Sequence, residues 1–345
     1  MLLVRAIAEK DLDDLLALAQ MVGSGMTTLK PDRKALGQRV EIACASFAEA
    51  IAPELRDYVF VMEDTDARQV VGVCAIKGAV GLDQPFYNYR IGTLVHSSKA
   101  LGVFSRMDTL YLSNDLTGCA ELCSLFLHPD YRHGTNGKLL SKCRFMFIAE
   151  FPHLFSTKLI AEMRGFQNAE RRSPFWDSLG CHFFRMDFDR ADDLTSLGQK
   201  SFIAELMPRY PLYVDYLPPE AQRVIGRVHP DTEPARRLLE QEGMYYEGYV
   251  DIFDAGPVLQ ARVSELRALR ESAMAIVDAD PEFVPELPPL MVANTHLHDF
   301  RVIAAHADPV YGRIALTSDQ QAALACPPGS AVRTMPLNPR KTIHA

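Results

Sequence analysis

The feature that most constrains the fold is one continuous stretch, ELCSLFLHPDYRHGTNGKLL, which occupies residues 121–140. Its first part contains Leu122, Leu125 and Leu127 in an apolar run of strand length. Pro129 breaks that run, and a loop with two glycines follows before apolar residues return at helical spacing. The stretch therefore predicts a buried strand whose loop opens directly onto a helix.

The loop that follows this strand has the composition of an anion site. Arg132, Gly134, Asn136 and Gly137 stand where the predicted helix begins. The first N–H groups of a helix lack intrahelical partners, and the helix dipole favours negative charge there. Glycines allow a phosphate to approach the backbone, while Arg132 adds a positive charge. The loop is a candidate pyrophosphate site, although an ordinary solvated basic loop would share this spacing.

The composition is that of a globular protein and argues against several classes of function. Of the 345 residues, 48% are hydrophobic and 23% are charged, and the net charge of −8 argues against non-specific nucleic-acid binding. No apolar stretch is long enough to span a membrane, and early acidic residues argue against a signal peptide. The seven scattered cysteines form no metal-ligand pattern and suit a reducing compartment. We expect a cytoplasmic protein that binds neither nucleic acid, nor membrane, nor metal.

Apolar periodicity and turn residues divide the N-terminal half into alternating strands and helices. The predicted elements are, in chain order, strand 2–7, helix 11–21, helix 33–51, strand 58–63, strand 70–78, helix 136–151 and strand 159–164. The two strands between 58 and 78 should form a hairpin, because the residues that separate them have the composition of a turn.

Two later passages share one pattern, a helix closed by a glycine and followed by an aromatic strand. In Phe175–Phe188 the helix should begin after an N-cap at Ser173 and end at Gly180, with an alternating strand behind it. In Pro234–Phe253 the helix should end at Gly243. The repetition predicts a second helix and strand segment related to the first.

These patterns resemble a known superfamily. A strand, an Arg/Gln-x-x-Gly-x-Gly/Ala loop and a helix are similar to the acetyl-CoA pocket of the GCN5-related N-acetyltransferases, although Gly134 comes one residue early here. Longer segments of the sequence resemble the arginine N-succinyltransferase family, and this resemblance extends from Val4 to about Arg333. The segments that carry this resemblance are Tyr58–Asp64, Tyr89–His96, Glu121–Leu127, Leu139–Phe147, Ala161–Gly165, Ser173–Gly180, Phe202–Pro208 and Val224–Pro230.

The resemblance implies an α/β (α+β) fold. It would consist of a mixed, mostly antiparallel sheet of the GCN5-related acyl-CoA N-acyltransferase kind with flanking helices, and a small C-terminal β-rich domain. Together with the patterns above, this divides the chain into three parts. We expect an N-acyltransferase-like domain over 1–190, a helix and strand segment over 191–255 that completes the catalytic region, and the C-terminal domain over 256–345.

The resemblance also implies an activity, the transfer of succinyl from succinyl-CoA to the α-amine of L-arginine in arginine catabolism. Succinyl-CoA would be a co-substrate, and no cofactor would be bound permanently. Two alternatives stay open for this chain. It could accept ornithine, or it could be a non-catalytic acyl-CoA-binding subunit of a hetero-oligomer. A homo- or hetero-oligomer with a related subunit is expected.

The resemblance implies that His229 is the proton donor when the amine attacks the thioester directly. Pro230 favours extended backbone at His229, and an imidazole exchanges protons near neutral pH. From the residues alone, a structural histidine is the alternative. Leu125 matches the position that contacts succinyl-CoA through its backbone, and Leu127 lies on the same strand. The residues expected to hold the CoA pyrophosphate are Arg132, Gly134, Asn136 and Gly137.

The charges on the substrates also need partners. A guanidinium suits a carboxylate with room for a forked contact. The candidates for this contact are Glu162 and Glu205, with Asn114 and Asp115 also considered. The succinyl carboxylate needs a cation, and the sequence does not decide among Arg90, Arg164 and Arg227. A surface salt bridge is the alternative role for each of these side chains.

Overall fold

The computed structural model describes residues 1–22, 26, 28–196, 198–278 and 287–339, and within them fifteen strands form one mixed sheet. The strands are β1 (Leu2–Ala6), β2 (Asp57–Asp64), β3 (Gln69–Lys77), β4 (Asn88–Ser98), β5 (Val103–Ser113), β6 (Ala120–Leu127), β7 (Lys158–Glu162), β8 (Leu212–Tyr213), β9 (Tyr245–Asp251), β10 (Pro257–Arg262), β11 (Ala273–Asp278), β12 (Leu290–Asn294), β13 (Arg301–Ala305), β14 (Arg313–Ala315) and β15 (Ala331–Pro336). The helices are α1 (Leu12–Met21), α2 (Arg33–Phe47), α3 (Asn136–Glu150), α4 (Cys181–Phe184), α5 (Phe188–Ser196), α6 (Ser201–Leu206), α7 (Pro219–Val224), α8 (Glu233–Gln241), α9 (Arg267–Glu271) and α10 (Ser318–Leu324).

The order of the strands across the sheet is β14-β11-β15-β12-β13-β1-β2-β3-β6-β7-β10-β9-β4-β5-β8. Neighbouring strands are antiparallel except for the β6–β7 and β11–β14 pairs. The β6–β7 pair needs a crossover, and α3 supplies it. Among the described residues, no helix is both long enough and apolar enough to cross a lipid bilayer.

Helices cover both faces of the N-terminal part of the sheet, because its strands are apolar on both sides. Val59 and Val61 of β2 belong to a core cluster with residues of α1 and α2. Tyr58 and Phe60 point to the opposite face and contact Phe147 of α3, with ring centroids 4.9 and 5.1 Å away. This packing fixes α3 against the sheet, so that its first turn lies just beyond the end of β6.

Most of the elements predicted for the N-terminal half are confirmed. The hairpin appears as β2 and β3, and the helix after the glycine loop appears as α3. The second predicted helix ends at Phe47 and not at residue 51. The region between β3 and β6 contains the long β4–β5 hairpin.

The prediction that a helix ends at Gly180 and is followed by a strand is wrong. The helix passes through Gly180 in a π-helical turn and continues as α4, and α5 follows it. The helix ends at Arg185, which has a φ of +51°. A Cβ at position 180 would lie 2.4 Å from the Trp176 ring, so aromatic packing and not helix termination requires the glycine.

The C-terminal strands extend the sheet beyond β1, through pairing of β13 with β1. The predicted domain boundary at residue 256 lies just before β10, and β10 pairs with β7 and β9 of the central sheet. The strands from β11 onward form a separate buried cluster with α10. The predicted fold class, a mixed sheet with flanking helices and a β-rich C-terminal part, is confirmed.

Candidate active site

Strands β6 and β7 are joined at one end and part at the other. Parallel pairing links Ala120 with Leu159 and Glu121 with Ile160, after which β6 stays with β3 and β7 stays with β10. Ser124 of β6 has a φ of +55° and lies in a bulge of the β3–β6 ladder. Beyond Glu121, the edge of β6 that faces β7 offers backbone donors and acceptors with which an extended ligand can pair.

A cleft of about 1360 Å³ passes through this opening and reaches both faces of the sheet. The end of α1 lines it on one face, and the first turns of α3 line it on the other. Among the residues predicted for the site, those that line the cleft are Leu125, Leu127, Arg132, Gly134, Gly137, Glu162, Arg164 and His229. The structure therefore brings together residues that are far apart in the sequence.

The predicted phosphate loop is held in place by its own side chains. The Arg132 Nε donates to the Leu127 carbonyl at 2.9 Å, and the guanidinium lies over the Phe126 ring. Gly134 has a φ of +58°, and a Cβ there would meet nothing within 4 Å, so the backbone is open to a ligand. Asn136 does not line the cleft; its Nδ2 donates to the Tyr131 carbonyl and braces the loop.

His229 is held in one orientation at the side of the cleft. Its backbone N–H donates to the Arg164 carbonyl at 2.9 Å, and its Nδ1 accepts from the Asp231 N–H at 3.2 Å. Burial, and then the charge of Arg164, lowers the pKa of His229 below its ordinary value. A neutral ring whose Nδ1 accepts a hydrogen bond carries its proton on Nε2. His229 is therefore set up as an Nε2–H donor.

The same His-Pro-Asp turn occurs at the end of β6. There the Nδ1 of His128 accepts from the Asp130 N–H at 3.2 Å. His128 does not line the cleft, whereas His229 does. The turn therefore orients a histidine ring, and its place relative to the cleft decides whether the ring can reach a ligand.

Of the candidate cations, Arg164 is the one that lines the cleft. Its Nη2 donates to Gln167, while its buried Nε has no hydrogen-bond partner among the described residues. Burial lowers the pKa of Arg164. Arg90 pairs with Asp115 outside the cleft, and Arg227 is exposed.

Of the candidate carboxylates, the structure brings only Glu162 to the cleft. Its Oε1 accepts from Asn88 Nδ2 at 2.7 Å. Burial, followed by the charges of Asp251 and Glu121, raises the pKa of Glu162 far above its usual range. Glu205 lies exposed on α6, which turns it away from the cleft, and this departs from its prediction as a substrate contact. The structure does not bring Asn114 or Asp115 to the cleft either.

Among the charged residues of the cleft that the sequence patterns did not reveal are Glu121, Arg144 and Asp251. Arg144 of α3 is buried beneath β6 and donates to the Ser141 and Cys123 carbonyls. A signal for Glu121 was present in the sequence, since it is an acidic residue within an apolar strand. Asp251 carries a similar signal, since it lies between Val250 and Ile252, but its place in the cleft depends on a strand pairing between distant segments. No group of three potential metal-ligating side chains is found within the described residues.

Comparison with known proteins identifies a family. The family model described as arginine N-succinyltransferase beta subunit matches residues 2–268, and the model of its C-terminal domain matches residues 276–336. The chain is 48% identical over 341 residues to arginine N-succinyltransferase of Enterobacter sp. (strain 638), covering 99% of both chains. It is 49% identical over 343 residues to arginine N-succinyltransferase of Yersinia pseudotuberculosis serotype O:3 (strain YPIII), covering 98% of both. The solved arginine/ornithine succinyltransferase subunit AI of Pseudomonas aeruginosa is similar with a TM-score of 0.89 at 32% identity, covering 98% of this chain and 99% of that chain.

Proposed function

The chain belongs to the arginine N-succinyltransferase family, and from that premise we propose that it transfers succinyl from succinyl-CoA to the α-amine of L-arginine. The observation that carries the proposal is the cleft between β6 and β7. It connects a helix N-terminus suited to phosphate, a histidine with a donating Nε2–H, and a buried carboxylate. These are the groups needed by a CoA thioester, its departing thiolate and a cationic acceptor.

Succinyl-CoA would lie along β6. The amides of pantetheine would pair with the free backbone edge near Leu125 and Leu127, much as an added strand does. The pyrophosphate would meet the first N–H groups of α3 and the charge of Arg132. Gly134 and Gly137 keep this approach open. No permanently bound cofactor is needed for this chemistry.

The reaction would be a direct attack on the thioester. The neutral amine nitrogen bonds to the carbonyl carbon, and the oxygen becomes an oxyanion that backbone N–H groups near the Ser124 bulge would stabilise. Collapse of this intermediate re-forms the carbonyl and breaks the C–S bond. His229 would give its Nε2 hydrogen to the departing sulfur as the same nitrogen receives the proton that the amine nitrogen releases, so the ring is neutral before and after the step. The net proton transfer is therefore from nitrogen to sulfur.

Arg164 is the proposed partner of the succinyl carboxylate. Two observations support this role: its buried Nε has no hydrogen-bond partner among the described residues, and its carbonyl accepts from the His229 N–H, which places the two residues side by side in space. An acetyl group would leave that cation without a partner, which costs about 1–3 kcal/mol. The enzyme should therefore prefer succinyl-CoA to acetyl-CoA by about 10- to 100-fold in kcat/KM.

Ornithine is the second candidate acceptor. The Pseudomonas aeruginosa relative is named for both arginine and ornithine. Ornithine presents an ammonium where arginine has a guanidinium, and Glu162 is the proposed partner of either cation. A forked guanidinium makes two hydrogen bonds to one carboxylate, and this favours arginine.

The three-part domain division, a cytoplasmic location and an oligomer with a related subunit are also proposed. The separate match to residues 276–336 supports a distinct C-terminal domain. A non-catalytic subunit is the remaining alternative. The hydrogen bond that orients the His229 ring argues against this alternative.

The test is to follow thiol release from succinyl-CoA by the purified chain, with arginine and ornithine in parallel and acetyl-CoA as the competing donor. We expect turnover by the chain alone, preference for arginine and preference for succinyl-CoA. Arg164→Gln should abolish the donor preference, while Arg227→Gln, at an exposed position, should keep it. No turnover with either amine would favour the non-catalytic subunit.

A further inference from the structure

A second cavity of about 360 Å³ adjoins the cleft on the face of the sheet that carries α1 and α2. The two cavities share several wall residues, and among these are three carboxylates: Glu121, Glu162 and Asp251. We call this group the acidic neck. It lies where β6 and β7 begin to part, beside the place at which the thioester would sit.

The strand register explains why the carboxylates meet. Glu121 pairs with Ile160, so Glu162, two residues further along β7, points to the same face of the sheet as Glu121. Asp251 of β9 pairs with Asn88 of β4. The Asn88 side chain in turn donates to Glu162. The neck is thus assembled from three strands and is braced by a fourth.

The three neck carboxylates differ in their partners: Asp251 accepts from the Phe253 and Asp254 N–H groups, and Glu162 accepts from Asn88, whereas Glu121 has no such partner in the part of the chain that the structure describes. Glu121 is 7% exposed, and its carboxylate makes no hydrogen bond or ion pair with any described residue. The Asn88 Oδ1 is also buried without a donor, in a residue that is 1% exposed. A buried carbonyl without a donor costs free energy, and the Glu121 carboxylate faces the two cavities. Both groups could accept hydrogen bonds from a planar cation with several N–H groups.

The lysines near the neck do not satisfy it. Lys77 and Lys200 line the second cavity, yet neither forms an ion pair with a neck carboxylate in the described part of the chain. Burial raises the pKa of Glu121 despite the opposing charges of both lysines. The internal cations therefore leave the neck able to take a further positive charge.

The two substrates can approach from opposite faces. Glu121 lies on the same face as Cys123, which packs with the α1 and α2 cluster, whereas α3 covers the other face. CoA bound at the start of α3 would pass its thioester through the opening between the strands. An acceptor held on the face that carries α1 and α2 would reach the thioester from the side opposite to α3.

We propose that the acidic neck binds the guanidinium of the acceptor and that Glu121 is its principal specificity residue beside Glu162. This inference rests on the proposed function for the identity of the acceptor. Two carboxylates from adjacent strands and the Asn88 carbonyl suit the several N–H donors of a guanidinium better than the point charge of an ammonium.

The test uses Glu121→Gln, with the exposed residue Glu41 of α2 changed to Gln as the matched control. Loss of a charge-assisted bond should lower kcat/KM for arginine about 10- to 100-fold, mainly through KM, while the KM for succinyl-CoA stays unchanged. Calorimetry with 4-guanidinobutyrate, which has the guanidinium but no α-amine, should show the same loss of affinity for the CoA-loaded protein. Glu41→Gln should match the wild type in both measurements.

A purely structural role makes a different prediction. Removing an unpaired buried charge should leave the melting temperature of Glu121→Gln unchanged or raised, whereas loss of a structural contact would lower it. If that variant fails to fold, Glu162→Gln keeps the acceptor for Asn88 and should give the same loss of guanidinium affinity. Equal 4-guanidinobutyrate affinity in wild type and variant, or no binding by the wild type, overturns the assignment of the neck. Absence of arginine turnover by the wild type overturns the proposed function instead.

Discussion

At the scale of single residues, the structure separates two histidines that the sequence presents in the same way. His128 and His229 both precede Pro-Asp, and both accept a backbone N–H at 3.2 Å. Only the His229 ring lines the cleft. The sequence singled out His229 through a family resemblance, because local chemistry alone does not distinguish two identical turns.

His229→Ala should lower kcat for succinyl transfer by about 10²- to 10⁴-fold, the usual cost of losing a general acid or base. His128→Ala is the matched control and should retain its kcat, because it loses the same local hydrogen bond outside the cleft. Binding of succinyl-CoA, measured by calorimetry, should change little in either variant. Near-normal kcat in His229→Ala would show that water or another group carries the proton.

The pH profile of the wild type should reflect the lowered pKa of His229. Below that pKa the ring gains a hydrogen on Nδ1 and loses the hydrogen bond from the Asp231 N–H, a loss that the Asp231 carboxylate 3.6 Å away only partly offsets. Activity should therefore fall on the acid side, with a midpoint below the ordinary value of 6.5. Arg164 contributes to the shift, so Arg164→Gln should move this midpoint to higher pH. An acid midpoint that does not respond to Arg164→Gln would contradict this electrostatic account.

At the scale of elements, the strand, loop and helix from β6 to α3 were predictable because local signals agree there. An apolar run, a proline break, glycines and a helical repeat all occur within twenty residues of sequence. The helix through Gly180 was not predictable by the same rules. Gly180 leaves room for the Trp176 ring, and a rule that assigns a glycine to the end of a helix takes no account of such packing. The acidic neck was not predicted, because its three carboxylates come together only through the register of strands that are distant in the sequence.

Gly134→Asp should weaken CoA binding at the start of α3 and leave the fold intact. Asp tolerates the left-handed backbone, and the site has room for its side chain, but its charge would oppose the pyrophosphate. Gly134→Asn is the control, since it adds a side chain of similar size without the charge. Calorimetry should show a clear loss of CoA affinity for Gly134→Asp and a smaller loss for Gly134→Asn. Equal affinities in both variants and the wild type would exclude this loop as the phosphate site.

At the scale of the whole molecule, a buried ionic network ties the C-terminal segment to the helix that begins at the cleft. Lys142 of α3 and Arg267 of α9 both contact Glu242, and the exposed fractions of the three side chains are 0%, 2% and 0%. The two cations also donate to the carbonyls of Leu337 and Pro336. Asn338 then bonds to Lys138 at the rim of the cleft. The C-terminal segment therefore supports the proposed CoA site directly.

Glu242→Gln should lower the free energy of unfolding by about 3–5 kcal/mol, because it leaves two buried cations without their shared carboxylate. Glu240→Gln, at an exposed pair with Arg236 on the same helix, should cost about 0.5 kcal/mol or less. Urea unfolding of both variants measures the difference. Similar small losses in the two variants would mean that the network does not hold the C-terminal segment in place.

We propose that the two substrates meet through the opening between β6 and β7. A crystal structure with CoA and L-arginine tests it most directly, because this pair lacks the succinyl group and cannot react. We expect pantetheine along the β6 edge, pyrophosphate at the start of α3, the sulfur in reach of His229 Nε2, and the arginine α-amine facing the sulfur from the α1 and α2 side. CoA bound away from the β6 edge, or both ligands on one face of the sheet, would contradict this arrangement of the substrates.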